Sequence, residues 1–166
     1  MSTIRQIYLK PGGFHFGAAP LRLTTLLGSC VTVTLWHPRR HLGGMCHIQL
    51  PKRPARAAGT ALDGHYAEDA FALFDQALER HGTAAREYVV KLFGGGNMFP
   101  DSDASSIEVG NKNLAAARQQ LAERGLRPAI EHVGGAGHRK LIFDLASGDV
   151  WLAFSNLESA KEAASV

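Results

Sequence analysis

Residues 31–36 alternate apolar and less apolar side chains with a period of two, a pattern that predicts a half-buried β-strand. Pro38 ends this strand, because proline cannot donate to a β-ladder. Gly43 then turns the chain into a second run, residues 44–50, which Pro51 closes. Since only a short loop separates the two runs, they are expected to pair as an antiparallel hairpin.

Apolar residues at helical spacing predict two amphipathic helices. The first has a common face made of Tyr66, Ala70, Leu73, Phe74, Ala77 and Leu78, and Gly82 is expected to cap its C-terminus. The second repeats the pattern with Leu114, Ala117 and Leu121, with Asn111 as its N-cap and Gly125 as its stop signal.

Four further short strands are predicted at residues 88–93, 130–133, 140–145 and 150–154. Strands mixed with two helices predict a single α+β domain over residues 1–156, in which the helices cover a largely antiparallel sheet. Residues 157–166 are predicted to form a loose C-terminal tail or a frayed helix.

Composition narrows the class of protein. The 166 residues are 45% hydrophobic and 20% charged, as expected of a folded domain rather than a disordered one. The net charge of +3 is scattered and comes with no aromatic platform, so nucleic-acid binding is not predicted. No apolar run approaches the roughly 20 residues of a membrane span, and no signal peptide precedes the domain, so neither membrane insertion nor export is predicted. Two cysteines make no disulfide framework, and a reducing cytoplasm is the expected compartment.

Candidate chemistry begins at Cys30, which follows Gly28 and Ser29 at the turn into the first predicted strand. Gly28 permits a positive φ angle, and a turn of this kind can direct successive backbone N–H groups at one point. Such donors would favour a thiolate and hold the oxyanion of an acyl-transfer intermediate. The alternative is that Cys30 is a small buried hydrophobic residue, the commonest role of a free cysteine.

His47 is the candidate base. Along the second strand it shares a face with Met45 and Gln49, while the apolar Cys46 and Ile48 point to the opposite side. Antiparallel pairing of the hairpin would bring His47 close to Cys30, where an imidazole can deprotonate the thiol. The alternative is a core histidine with its hydrogen bonds satisfied. Cys46 is predicted to be a packing residue, and no metal site is predicted, since neighbouring strand residues diverge and no Cys-x-x-Cys spacing exists.

Two glycine-rich runs, residues 93–99 and 133–140, follow predicted strands. Neither carries the Gly-Lys-Ser/Thr of a phosphate loop, so nucleotide binding is not expected, and no cofactor is predicted. The simplest interpretation is sharp turns near another backbone. Beside an active site they could form a cleft wall, for which the candidates are Gly94, Gly95, Gly134, Gly135 and Arg139.

These residues together resemble CheD, the bacterial chemoreceptor glutamine deamidase family. The likeness runs from about residue 7 to residue 152 and is most specific where Gly-Ser-Cys at residues 28–30 is followed by Gly-Gly-x-x-His at residues 43–47. Weaker matching segments are residues 8–12, 50–51, 91–95, 134–135 and 139–140, with Tyr66, Ala70, Gly110 and Asn113.

The resemblance implies a Cys-His-Thr triad on a three-layer α/β/β sandwich. The family's cysteine and histidine correspond to Cys30 and His47, and its threonine, six residues before the cysteine, corresponds to Thr24 rather than Thr25. The resemblance also implies a protein-glutamine glutaminase that acts through a thioester on the cytoplasmic domain of methyl-accepting chemotaxis receptors. It further implies a CheC-type phosphatase as a partner of some members. One departure is His138, where the family usually has glycine before the arginine; it bears on substrate preference and not on the triad.

Two other functions fit parts of the pattern. A non-enzymatic adaptor could bind receptors or a phosphatase through the glycine loops, but pure binding would need neither Cys30 nor His47. A small-molecule amidase with the same dyad would need a deep closed pocket, which glycines in open loops do not favour. An amine in place of water would turn the deamidase into a transglutaminase, and the sequence leaves that side reaction open.

Overall fold

The computed structural model describes residues 3–55, 57–100, 105–157 and 162–165. Its helices are α1 (Ala67–Arg80) and α2 (Ser105–Glu123), with a short 3-10 helix at Ala85–Glu87. Its strands are β1 (Gln6–Leu9), β2 (Phe14–Ala18), β3 (Arg22–Leu27), β4 (Val31–His37), β5 (Leu42–Cys46), β6 (Val89–Gly94), β7 (Ile130–Val133), β8 (Gly137–Asp144), β9 (Val150–Asn156) and β10 (Glu162–Ser165).

The strands form two sheets of five strands each. One sheet, here called the inner sheet, has the order β2-β5-β4-β6-β7, and the other, the outer sheet, has the order β1-β3-β8-β9-β10. Neighbours are antiparallel except for the parallel pairs β1–β3 and β6–β7. The predicted hairpin is confirmed, because β4 and β5 pair antiparallel with Thr34 opposite Met45.

Two hydrophobic cores define three layers. Strand residues of the inner sheet such as Val33 pack against Phe71 and Phe74 of α1 and against Leu121 of α2. The opposite face of the same sheet packs on the outer sheet, where Met45, Phe93, Leu23, Leu141 and Phe143 share a second core. The order is therefore helices, inner sheet, outer sheet, which confirms the predicted α+β sandwich.

The predicted apolar face of α1 is confirmed, and Gly82 follows its end with a positive φ of 65°. Gly125 has the same φ after α2, where the Leu126 N–H donates to Leu121 O. Asn111 as an N-cap is wrong, since α2 already begins at Ser105 and Asn111 lies inside it. The apolar repeat misplaced the start because exposed Val109, in an early turn of α2, lies off the core face.

Strands form near both ends of the chain, where the sequence predicted little structure. Strands β1, β2 and β3 were not predicted; in β2 the residues are mostly half-buried, so no clear alternation marks that strand. The loose-tail prediction is wrong for residues 162–165, which pair with the free edge of β9 as β10. The rest of that predicted tail, apart from Leu157, lies outside the described residues. Within the described ranges, no helix has the length and apolar character needed to cross a membrane.

Candidate active site

The turn at residues 28–30 carries the chain from one sheet to the other. Strand β3 of the outer sheet ends at Leu27, and β4 of the inner sheet begins at Val31. Gly28 does not take up the positive φ that glycine permits, and a Cβ at this position would lie 2.7 Å from the Met98 Cγ. Met98 thus packs directly over the turn that precedes Cys30.

The first glycine-rich run braces this turn. The Gly95 N–H donates to Cys30 O and the Gly96 N–H donates to Gly28 O, each at 2.9 Å. A Cβ on Gly94 would meet Cys30 O, and Gly94 and Gly95 are both buried. These glycines therefore pack against the Cys30 turn and hold it by backbone hydrogen bonds. The Cys30 N–H makes no hydrogen bond to any described residue, which leaves it available as a donor.

Backbone pairing places Cys30 and His47 on one face of the inner sheet. Val31 and Ile48 exchange two hydrogen bonds, of 2.9 and 2.8 Å, and form an isolated antiparallel bridge in the same register as β4 and β5. In that register Cys30 lies opposite Gln49, so His47 is its diagonal neighbour. Diagonal neighbours are about 7–8 Å apart and within reach of long or aromatic side chains.

Thr25 reaches His47 across the gap between the sheets. Its Oγ1 lies 2.7 Å from His47 Nδ1 and also donates to Leu9 O at 2.7 Å. A hydroxyl has one hydrogen, so the Nδ1–H of His47 donates to Thr25. The neutral imidazole then carries its free lone pair on Nε2. That atom is buried and has no hydrogen-bond partner among the described residues.

Thr24, which the resemblance pointed to, faces the other way. Successive strand residues point to opposite faces, and in β3 Leu23, Thr25 and Leu27 are buried between the sheets while Leu26 is half-exposed outside. Thr24 shares the face of Leu26 and lines a pocket with Leu26, Tyr8 and Lys140. The assignment of Thr24 as the residue that orients His47 is therefore wrong in this geometry, and Thr25 makes that contact.

Burial keeps both reactive groups uncharged at neutral pH. It raises the pKa of the Cys30 thiol from 9.0 to about 11 and lowers the pKa of His47 from 6.5 to about 4. Burial therefore opposes the resting thiolate that the turn was expected to favour. Cys46 is fully buried, its thiol pKa is raised to about 12, and it packs in the helix-facing core as predicted.

Arg139 is buried and does not form a cleft wall. It is 1% exposed, its Nη2 donates to Gly134 O at 2.7 Å, and its guanidinium lies 4.5 Å from the Phe154 ring centroid. The buried Arg139 side chain thus fixes the second glycine-rich run through its hydrogen bond to Gly134. Gly135 and His138 are exposed, and Gly134 is half-buried. In the described part of the chain, no three His, Cys, Asp or Glu side chains converge as metal ligands would.

Sequence reasoning missed Thr25 although a signal was present. Thr25 is in phase with Leu23 and Leu27, which marks the buried face of a strand. Because β3 itself is not predicted from the sequence, this alternation does not lead to Thr25. Met98 carried no comparable signal, since its position over Gly28 depends on the path of a glycine loop.

Residues 49–154 match the family model described as CheD chemotactic sensory transduction. A probable chemoreceptor glutamine deamidase CheD 3 from Dechloromonas aromatica is 50% identical over 92% of this chain and 89% of its own length. A probable chemoreceptor glutamine deamidase CheD from Pseudomonas syringae pv. tomato is 45% identical over 92% of this chain and 91% of its own. A CheD 1 protein of the same description from Leptospira interrogans is 38% identical over 90% of this chain and 93% of its own. With this likeness over nearly its whole length, the chain belongs to the CheD family.

Proposed function

We propose that this protein is a cytoplasmic protein-glutamine deamidase that hydrolyses glutamine side chains of chemotaxis receptors to glutamate. The observation that carries the proposal is the 2.7 Å contact between Thr25 Oγ1 and His47 Nδ1, from which the tautomer of His47 follows. Thr25, whose own hydroxyl hydrogen goes to Leu9 O, accepts from Nδ1–H, which leaves an unpartnered Nε2 lone pair on the face of the inner sheet that also carries Cys30. The names of the relatives supply the substrate class.

In the first half-reaction, Cys30 Sγ attacks the side-chain amide carbon of a receptor glutamine. The thiol pKa of about 11 means that little thiolate is present at neutral pH. His47 Nε2 therefore takes the thiol proton as the carbon–sulfur bond forms, rather than before it. The free Cys30 N–H stabilises the negative charge that develops on the amide oxygen.

Collapse of the tetrahedral intermediate breaks the carbon–nitrogen bond. The imidazolium of His47 returns its proton to the nitrogen, ammonia leaves, and a thioester to Cys30 remains. In the second half-reaction, His47 removes a proton from water as the water oxygen attacks the thioester carbon. The carbon–sulfur bond then breaks, and Cys30 Sγ takes the proton back from the imidazolium and leaves as a thiol. The product is glutamate. Thr25 keeps the imidazole in one orientation through both halves, the third role in a triad.

The test is to incubate the protein with cytoplasmic fragments of chemotaxis receptors and to follow individual glutamines by peptide mass spectrometry. Conversion to glutamate is expected with the wild-type protein and not with Cys30→Ala. Cys46→Ala is the matched control, because that cysteine lies in the other core, and it should remain active as long as it folds. Receptor binding without conversion of glutamine would contradict the proposal. It would favour the alternative, a non-enzymatic adaptor whose partners are receptors or a CheC-type phosphatase.

A further inference from the structure

Asn113 of α2 links the two segments that carry Cys30 and His47. Its side chain is fully buried, and its Nδ2 donates to Ser29 O at 3.1 Å and to Gln49 O at 3.0 Å. Both partners are carbonyl oxygens, so only the NH2 end of the amide can face them, and each of its hydrogens is used. Ser29 precedes Cys30, and Gln49 is the residue that lies opposite Cys30 in the β4–β5 register.

A glycine one turn earlier lets α2 approach closely enough for these contacts. A Cβ on Gly110 would lie 2.6 Å from Gly95 O and 3.1 Å from Gly96 O. Helix residues three apart lie on the same side, so Gly110 and Asn113 both face the site. Gly110 contacts Gly95 and Gly96, which hydrogen-bond to the Cys30 turn. Asn113 hydrogen-bonds to the turn directly, at Ser29 O.

The contact to Ser29 fixes the direction of a catalytic donor. In a trans peptide the C=O and the next N–H share one plane and point in opposite directions. Since Asn113 holds the Ser29 carbonyl toward α2, the Cys30 N–H must point away from the helix layer. That side is the space between the sheets, where His47 Nδ1 meets Thr25.

We propose that Asn113 is a positioning residue that sets the orientation of the Cys30 N–H and the spacing between the Cys30 turn and the segment after β5 that carries His47. The inference deepens the proposed deamidase function and rests on it. Asn113 is buried and cannot touch a receptor, so it acts on the chemical step and not on substrate binding. Its loss should lower kcat and leave KM unchanged.

The test compares Asn113→Leu and Asn113→Ala with Leu121→Val, a control in the same helix that packs in the core between α2 and the inner sheet. For the Asn113 variants, kcat is expected to fall about ten- to a hundredfold with KM within about twofold, since small misplacements of reacting groups have effects of this size. Activities are compared per folded protein, measured by circular dichroism. The leucine variant keeps the volume of the site if the alanine variant fails to fold.

Thiol labelling gives a readout that does not depend on deamidation. Release of the turn should expose Cys30 to water and move its pKa from about 11 toward the ordinary 9.0, so that iodoacetamide labels it faster at pH 8. Leu121→Val should not change this rate. If the wild-type protein deamidates, Asn113 variants with the kcat of the control would overturn the inference. If it does not, the proposed function fails, and an unchanged labelling rate in the Asn113 variants would overturn the positioning role separately.

Discussion

At the residue scale, adjacent threonines allow a clean separation of roles. Thr25→Ala removes the acceptor of His47 Nδ1–H and should lower kcat about tenfold or more, because the imidazole loses its fixed tautomer. Thr24→Ala changes the outer face of β3 and should stay within about twofold of wild type. Steady-state kinetics on one receptor fragment measures both. If Thr24→Ala proved the more damaging with both proteins folded, the Thr25 contact would not be the catalytic one.

The labelling rates of the two cysteines in the resting protein show whether Cys30 is a thiol or a thiolate before substrate binds. Cys30 is half-buried and Cys46 is fully buried, so iodoacetamide should label Cys30 much faster, although slowly at neutral pH because its thiol pKa is about 11. His47→Asn should leave that rate within about twofold, since a neutral imidazole does not stabilise a thiolate. Peptide mapping after brief exposure yields both rates from one sample. A large loss of Cys30 labelling in His47→Asn would instead indicate a preformed thiolate–imidazolium pair.

At the scale of elements, the hairpin was predictable and the strands before it were not. Alternation over residues 31–36 and glycines at residues 43–44 identify β4 and β5, and their antiparallel register follows from the short loop. Strand β3 carries Thr25, but one of its two neighbours in the outer sheet, β8, comes from far along the chain and starts at Gly137. No local pattern indicates that pairing. The cysteine and histidine could therefore be found from sequence, while the threonine contact required the structure.

The β8 strand offers a test of substrate preference. His138 is exposed at its start, while Arg139 beside it is buried. His138→Gly, which restores the residue usual in the family, should change the relative rates at different receptor glutamines and leave Cys30 chemistry intact. Site-by-site mass spectrometry with several receptor fragments is the measurement, and an inactive but folded variant would contradict this expectation.

At the scale of the whole molecule, stability should depend on pH through His47. Its folded-state pKa of about 4 is below the ordinary 6.5, so folding favours the neutral ring. The stabilising contribution is complete above pH 6.5 and is lost as pH falls from there through about 4, which amounts to about 3 kcal/mol. The free energy of unfolding from urea titrations should fall over that range, and less steeply in His47→Asn. Equal slopes in the two proteins would contradict the assignment.

The hydrogen bond between Thr25 and His47 joins a strand of the outer sheet to the segment that follows β5 of the inner sheet, so the geometry of the proposed site depends on the thickness of the core between the sheets. Met45, Phe93 and Phe143 belong to that core, and Cys30 packs against it. A protein interior responds to a lost methylene by shifting neighbours. The inter-sheet core is thus a spacer as well as a source of stability. Substitutions there would tune turnover through the 2.7 Å contact between Thr25 and His47.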